Sequence, residues 1–125
     1  MSVEIEIKVM SGYLCIECTG LYSFAEAQRV YQTAVDAASD RHCSRVLVDV
    51  FGVTGLISTI DRYELSVFLA EYINVQVPGT ITRFAVAGHE PPLDKDRFGM
   101  FVARSLGVNA FVTTKLAEAI EWLSL

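Results

Sequence analysis

The chain has 125 residues, 52% of them hydrophobic and 20% charged, with a formal net charge of −5. One domain of that length buries roughly two-thirds of its unfolded surface without a metal or disulfide staple, and such a composition excludes a disordered chain. The acidity and the scatter of the ten basic residues exclude the basic stripe that grips nucleic acid, and no apolar run approaches the roughly 20 residues that span a bilayer.

Val3, Ile5, Ile7 and Val9 alternate with Glu4, Glu6 and Lys8, which predicts a strand with one wet face. This start has neither the basic end nor the apolar core of a leader peptide, so a cytoplasmic location is expected. Ser11-Gly12 signals a turn, and Tyr13 to Thr19 forms a second strand ended by Gly20. Ser23-Phe24-Ala25-Glu26 has capping-box spacing. The helix behind it aligns Phe24, Ala27, Tyr31, Ala34 and Ala38, and stops near Ser39-Asp40. Arg45 to Val50 is apolar enough for a buried strand. A second helix runs from Thr59 to Ile73, with Leu65, Phe68, Leu69, Tyr72 and Ile73 as its stripe.

Pro78-Gly79 breaks the chain, and Arg83 to Ala87 is another buried strand ending at Gly88. Asp94-Lys95-Asp96 opens a third helix that closes near Leu106, with Gly107 placed as its C′ glycine. Val108 to Val112 is a short last strand, and Thr114 caps a final helix carrying Leu116, Ile120 and Leu123. The order is ββαβαβαβα. It describes one α/β domain over residues 1–125, its mixed sheet an antiparallel opening hairpin followed by parallel strands.

Candidate chemistry is sparse. Cys15, Cys18 and Cys43 are odd in number, and Cys15 and Cys18, three apart in a strand, point to opposite faces. Buried hydrophobes describe them better than metal ligands. His42-Cys43 has no orienting carboxylate nearby in sequence, so no catalytic residue, metal or cofactor is expected. Asp49 sits at the end of one parallel strand and His89 follows another, at the edge where open α/β sheets hold ligands, and they are the weak ligand candidates. For Asp49 the alternative is a bond to loop amides near Gly52. Gly52-Val53-Thr54-Gly55 is neither a Walker A loop nor GxGxxG.

Ser58-Thr59-Ile60-Asp61 matches the helix-start pattern [ST]-x-x-[DE], so Ser58 is an N-cap worth about 1 kcal/mol. The same position suits a phosphate, which would meet unpaired amides and the positive end of the helix dipole.

Val48-Asp49-Val50-Phe51-Gly52-Val53-Thr54, followed by Ser58-Thr59, resembles the STAS family, the SpoIIAA-like fold of bacterial anti-sigma factor antagonists. In that family a strand and turn lead to Asp-Ser-Ser/Thr-Gly-Leu at a helix start, and a partner kinase phosphorylates the first serine, releasing the antagonist. Asp49, Gly52, Val53 and Thr54 match the lead-in, Ser58 the phosphorylated serine and Thr59 its neighbour. Ile57 stands where the family has aspartate, and Ile60 where it has glycine. The tail, from Gly107-Val108-Asn109 to Trp122-Leu123, resembles small uncharacterised relatives between the SpoIIAA-like and Sec14-like groups.

The resemblance implies a non-enzymatic regulatory module with a protein partner or a homodimer. Its interaction surface would be Phe51, Val53, Leu56, Ile57, Thr59 and Ile60. These greasy residues either form an exposed patch or fold inward under the second helix. The alternative is a carrier of a small apolar ligand or lipid, which a cavity between the second and third helices would favour.

Overall fold

The computed structural model describes residues 3–91, 93 and 95–125. Its frame is a five-stranded sheet whose spatial order, β1-β2-β3-β4-β5, follows the chain. The strands are β1 (Glu4–Val9), β2 (Leu14–Leu21), β3 (Arg45–Thr54), β4 (Arg83–Ala87) and β5 (Ala110–Thr113). β1 and β2 pair antiparallel, and every later pair is parallel. The helices are α1 (Phe24–Asp40), α2 (Thr59–Glu71), α3 (Phe98–Ser105) and α4 (Leu116–Leu123).

Strand alternation sorts the apolar residues into two layers. Leu14, Ile16, Cys18, Val46, Val48, Val50, Phe84 and Val86 form the main core with residues of α1, α2 and α3. Three helices on one face is the arrangement that right-handed crossovers between neighbouring strands produce. Cys15, Leu47, Ala85 and Ala87 face the other way, beneath Ala119 and Leu123 of α4. With both faces covered, β3 and β4 need apolar residues at successive positions, which is why they read as near-continuous runs. Cys15 and Cys18 indeed lie on opposite faces. Burial, then Asp49, pushes their thiols up to about 11 and about 12, so both stay protonated and unreactive at neutral pH.

The helix ends show local chemistry at work, with some departures from expectation. Ser23 Oγ accepts from the Glu26 amide at 3.2 Å, but the Glu26 carboxylate does not return to Ser23. It accepts instead from the Val3 amide and from Arg29, which also donates to the Val3 carbonyl. The chain entering β1 is thereby clamped to α1. The Arg29 guanidinium, then the Val3 amide, holds the Glu26 carboxyl below its usual range. A depressed carboxylate stabilises the fold above its unfolded pKa, about 4.3, and loses that contribution as pH falls through the lower folded value. Glu26→Gln is therefore expected to flatten the pH dependence of stability below about pH 5, read from urea midpoints between pH 3 and 6.

His42 stands at φ 54° just beyond α1, where Cys43 N donates to the Ala38 carbonyl and His42 N to that of Ser39. That is a Schellman stop with histidine in the left-handed position, and Gly107 closes α3 in the same way. His42-Cys43 is a helix terminus, and the Cys43 thiol donates to the Arg45 carbonyl at 3.3 Å.

Several boundaries differ from those expected. β2 runs through Gly20 to Leu21 and β3 through Phe51 to Thr54, because the two strands continue to pair past Asp49. α2 passes into a π-helical turn, Tyr72–Gln76. α3 begins at Phe98, since Arg97 is left-handed at φ 57° and interrupts any helix from Lys95-Asp96; Asp94 lies outside the described residues. β5 spans Ala110–Thr113 instead of Val108 to Val112. Thr113, not Thr114, serves the start of α4: its hydroxyl accepts from the Lys115 amide and donates to Glu118. On α4 the buried face is Ala119 and Leu123, while Leu116 and Ile120 sit at the exposed margin. Ala119, small enough for close approach to the sheet, sets that rotation.

Candidate functional site

The segment from Asp49 to Ser58 is shaped by one extra residue. Glu17 pairs with Asp49 and Thr19 with Gly52, so two steps along β2 are matched by three along β3. Such a bulge leaves an amide without its ladder partner and reverses the alternation beyond it. The Asp49 carboxylate accepts from the Phe51 amide at 3.0 Å. Asp49 thus lies inside the strand, five residues before its end, and its carboxylate serves an amide of the strand itself, where a loop amide at a turn near Gly52 was the expected alternative. Val53 turns into the main core, while Phe51 packs toward the α4 face.

Gly52 sits where β3 crosses Thr19. A Cβ there would lie 2.6 Å from Thr19 Cγ2 and 3.0 Å from the Cys18 carbonyl oxygen. The carbonyl belongs to a central strand and cannot yield. Gly52→Ala is expected to cost about 1–3 kcal/mol by overpacking, measured as a lower urea midpoint at unchanged m-value. Gly55, at φ 118°, then turns the chain out of the sheet in a conformation glycine adopts without strain.

Ser58 follows at the start of α2. Its Oγ accepts from the Asp61 amide at 3.1 Å, and its carbonyl accepts from Arg62 N. Arg62 reaches back along the helix, its Nε donating to the Ile57 carbonyl at 3.2 Å. The turn is therefore fixed on both sides of Ser58, with the serine itself exposed. Leu56 is 80% exposed and Ile60 70%, with Thr59 exposed between them. Leu21 and Tyr63 are also exposed, and Leu21 Cδ1 reaches the Gly55 turn.

The six residues of the expected interaction surface therefore divide. Leu56, Thr59 and Ile60 lie open around Ser58. Val53 is buried, Ile57 is partly buried against the main core, and Phe51 lies on the opposite face of the sheet. Exposed Leu21 and Tyr63, which the sequence reading missed, stand with the first group. Their only sequence signal is an apolar residue beyond an expected strand end and an aromatic off the helix stripe.

His89 is exposed, its ring edge-on to Phe51 with centroids 5.0 Å apart. Asp49 accepts from the Phe51 amide, so the two weak ligand candidates share the neighbour Phe51. Among the described residues no group of three histidine, cysteine or acidic side chains could hold a metal. Among them, too, no helix is long and apolar enough to cross a membrane.

Between α2 and α3 lies a cavity of about 80 Å³, lined by residues of both helices and of β4 and β5. The helices approach closely where the Ser66 hydroxyl reaches the Gly99 carbonyl at 3.0 Å. Ile57 and Arg62 belong to the cavity lining as well as to the Ser58 turn.

No protein-family model matches the chain, and no curated protein does. The structure is similar to the crystal structure of an anti-sigma factor antagonist from Mycobacterium paratuberculosis, with TM-score 0.62 and 14% identity, over 99% of this chain and 96% of that one. It is also similar to an uncharacterised DUF3478 protein with a SpoIIAA-like fold from Shewanella loihica PV-4, with TM-score 0.55 and 15% identity, over 98% and 93% of the two chains. The chain has a SpoIIAA-like α/β fold, the fold of the family that its Val48–Thr59 segment resembles in sequence.

Proposed function

We propose that the chain is a non-enzymatic regulatory module that binds a partner protein through the start of α2, and that phosphate on Ser58 releases the partner. The observation that carries this reading is the exposure of Leu56 and Ile60 on either side of a serine that caps the helix. Leucine and isoleucine this open at a turn gain most by being covered, and a contiguous apolar patch marks an interaction site. A phosphoryl group there would be held by the helix N-terminus while placing about two negative charges inside the contact. The printed description of the Mycobacterium paratuberculosis structure as an anti-sigma factor antagonist supports a protein partner of that kind. Arg62 gives the switch a rigid seat, because it ties down the carbonyl just before Ser58.

The carrier reading finds a cavity at the place it requires, between α2 and α3. Its volume of about 80 Å³ is well below the roughly 300–1,000 Å³ of sites that enclose drug-sized molecules, which favours the regulatory reading over lipid transport.

The test is cross-linking in the source cells with wild type and with Leu56→Asp/Ile60→Asp. One specific protein should be recovered with wild type and lost with the double variant, whose circular dichroism and melting temperature match wild type. Equal recovery with both would place the contact elsewhere. Mass spectra of the same material should find phosphate on Ser58 only in the unbound fraction.

A further inference from the structure

The polar side chains that line the cavity between α2 and α3 are of one kind. Its walls are mostly apolar, with Leu69, Phe84, Val86 and Met100 prominent. The polar side chains that line it are Tyr22, Tyr31, Arg62, Ser66 and Arg97, and no carboxylate is among the lining residues. Two of the five are already occupied. Ser66 directs its hydroxyl to the Arg62 and Gly99 carbonyls. Arg97 is held by Glu90 at 2.8 Å and by the Val112 carbonyl at 3.1 Å.

The remaining three are donors. Burial pushes the Tyr31 phenol up to about 12 and that of Tyr22 well above its ordinary value, so both keep their protons at any physiological pH. Arg62 spends Nε on the Ile57 carbonyl, and guanidinium has further N–H groups to offer. The two phenols hydrogen-bond to each other, and a hydroxyl that accepts still has its own proton to donate. An apolar cavity that offers one phenol O–H beside a guanidinium is matched to an occupant with an apolar body and an anionic, acceptor-only head.

Volume limits the body. A cavity of about 80 Å³ equals two to three water molecules at about 30 Å³ each, and is about half of one that takes benzene. We propose that this cavity binds a short-chain monocarboxylate of the size of propionate or butyrate, its alkyl end against Phe84 and Met100 and its carboxylate toward Tyr22, Tyr31 and Arg62. Ile57 lines the same cavity and precedes Ser58 in the chain, so occupancy is felt at the α2 start. The site is independent of whether Ser58 is a switch.

The full chain is titrated at pH 7 with acetate, propionate, butyrate, octanoate and neutral propionamide, and followed by NMR. Propionate or butyrate should saturate with Kd on the order of 1 mM, shifting the Tyr31, Arg62 side-chain and Ile57 resonances. Octanoate and propionamide should bind at least about tenfold more weakly, because the first is too long and the second lacks the charge. Tyr31→Phe should weaken propionate at least fivefold, and Ala103→Leu, which fills the cavity from α3, should abolish binding. Absence of saturable binding to wild type overturns the proposal. So does octanoate or propionamide binding as well as propionate, or a folded Ala103→Leu protein that binds unchanged.

Discussion

Ser58→Ala is expected to lower the melting temperature by about 3–5 °C and leave partner binding intact, whereas Ser58→Asp keeps the melting temperature and loses the partner. The two substitutions separate two roles of one side chain. Alanine removes the acceptor that the Asp61 amide uses at 3.1 Å, which costs about 1 kcal/mol at an N-cap. For a domain of this length that corresponds to the stated shift. Aspartate accepts the same amide as well as serine does, and its charge lies favourably at the helix N-terminus.

The helix is therefore kept, but a carboxylate now stands between Leu56 and Ile60, both open to solvent. Covering it would bury an unpaired charge. At the centre of an interface a loss of at least about 2 kcal/mol, or roughly 30-fold in Kd, is expected. Differential scanning fluorimetry reads the first effect and titration with the recovered partner the second. If Ser58→Asp binds as wild type does, Ser58 is a cap and nothing more.

The larger effect on stability is expected at Phe84. This ring, 1% exposed, is the largest of the fully buried side chains and sits on β4 beneath α1, α2 and α3. It meets Tyr31 edge-on with centroids 5.9 Å apart and forms part of the cavity wall. Phe84→Ala removes its transfer energy, its aromatic pair and its share of the packing, and enlarges a void that the helices cannot close without moving on the sheet. The cost is about 3–5 kcal/mol, a large part of the 5–15 kcal/mol that holds such domains folded. The melting temperature should fall by about 10–20 °C. Leu116→Ala, at the exposed margin of α4, should change stability by less than about 0.5 kcal/mol. Equal losses at the two positions would contradict the layering described above.

The element order was legible because burial writes itself into periodicity. The runs Val46–Val50 and Arg83–Ala87 had to be apolar at successive positions once both sheet faces were covered. Ser23 and Ser58 were legible as caps because the bond each makes spans only three residues. Glu26 was misread because its partner, Val3, lies 23 residues away and competes with the local alternative. The start of α3 was misread because the left-handed turn at Arg97 is held by Glu90 and by the Val112 carbonyl. The face of α4 depended on how closely Ala119 could approach the sheet, and the hydrophobic period alone does not contain that distance.

The candidate site shows the same division. The sequence by itself determined that Ser58 begins a helix, that the segment before it is unusually apolar, and that the chain is an α/β domain. These follow from hydrogen bonds and periodicities that span a few residues. Only the tertiary structure decided which of those apolar residues stay open to solvent. Phe51 stays on the α4 face in step with Leu47, and the bulge opposite Cys18 then turns Val53 into the core, while Leu56 and Ile60 stay outside. Exposure is a property of what packs on a residue, and here the packing elements are β2, α2 and α3, brought together from separate parts of the chain.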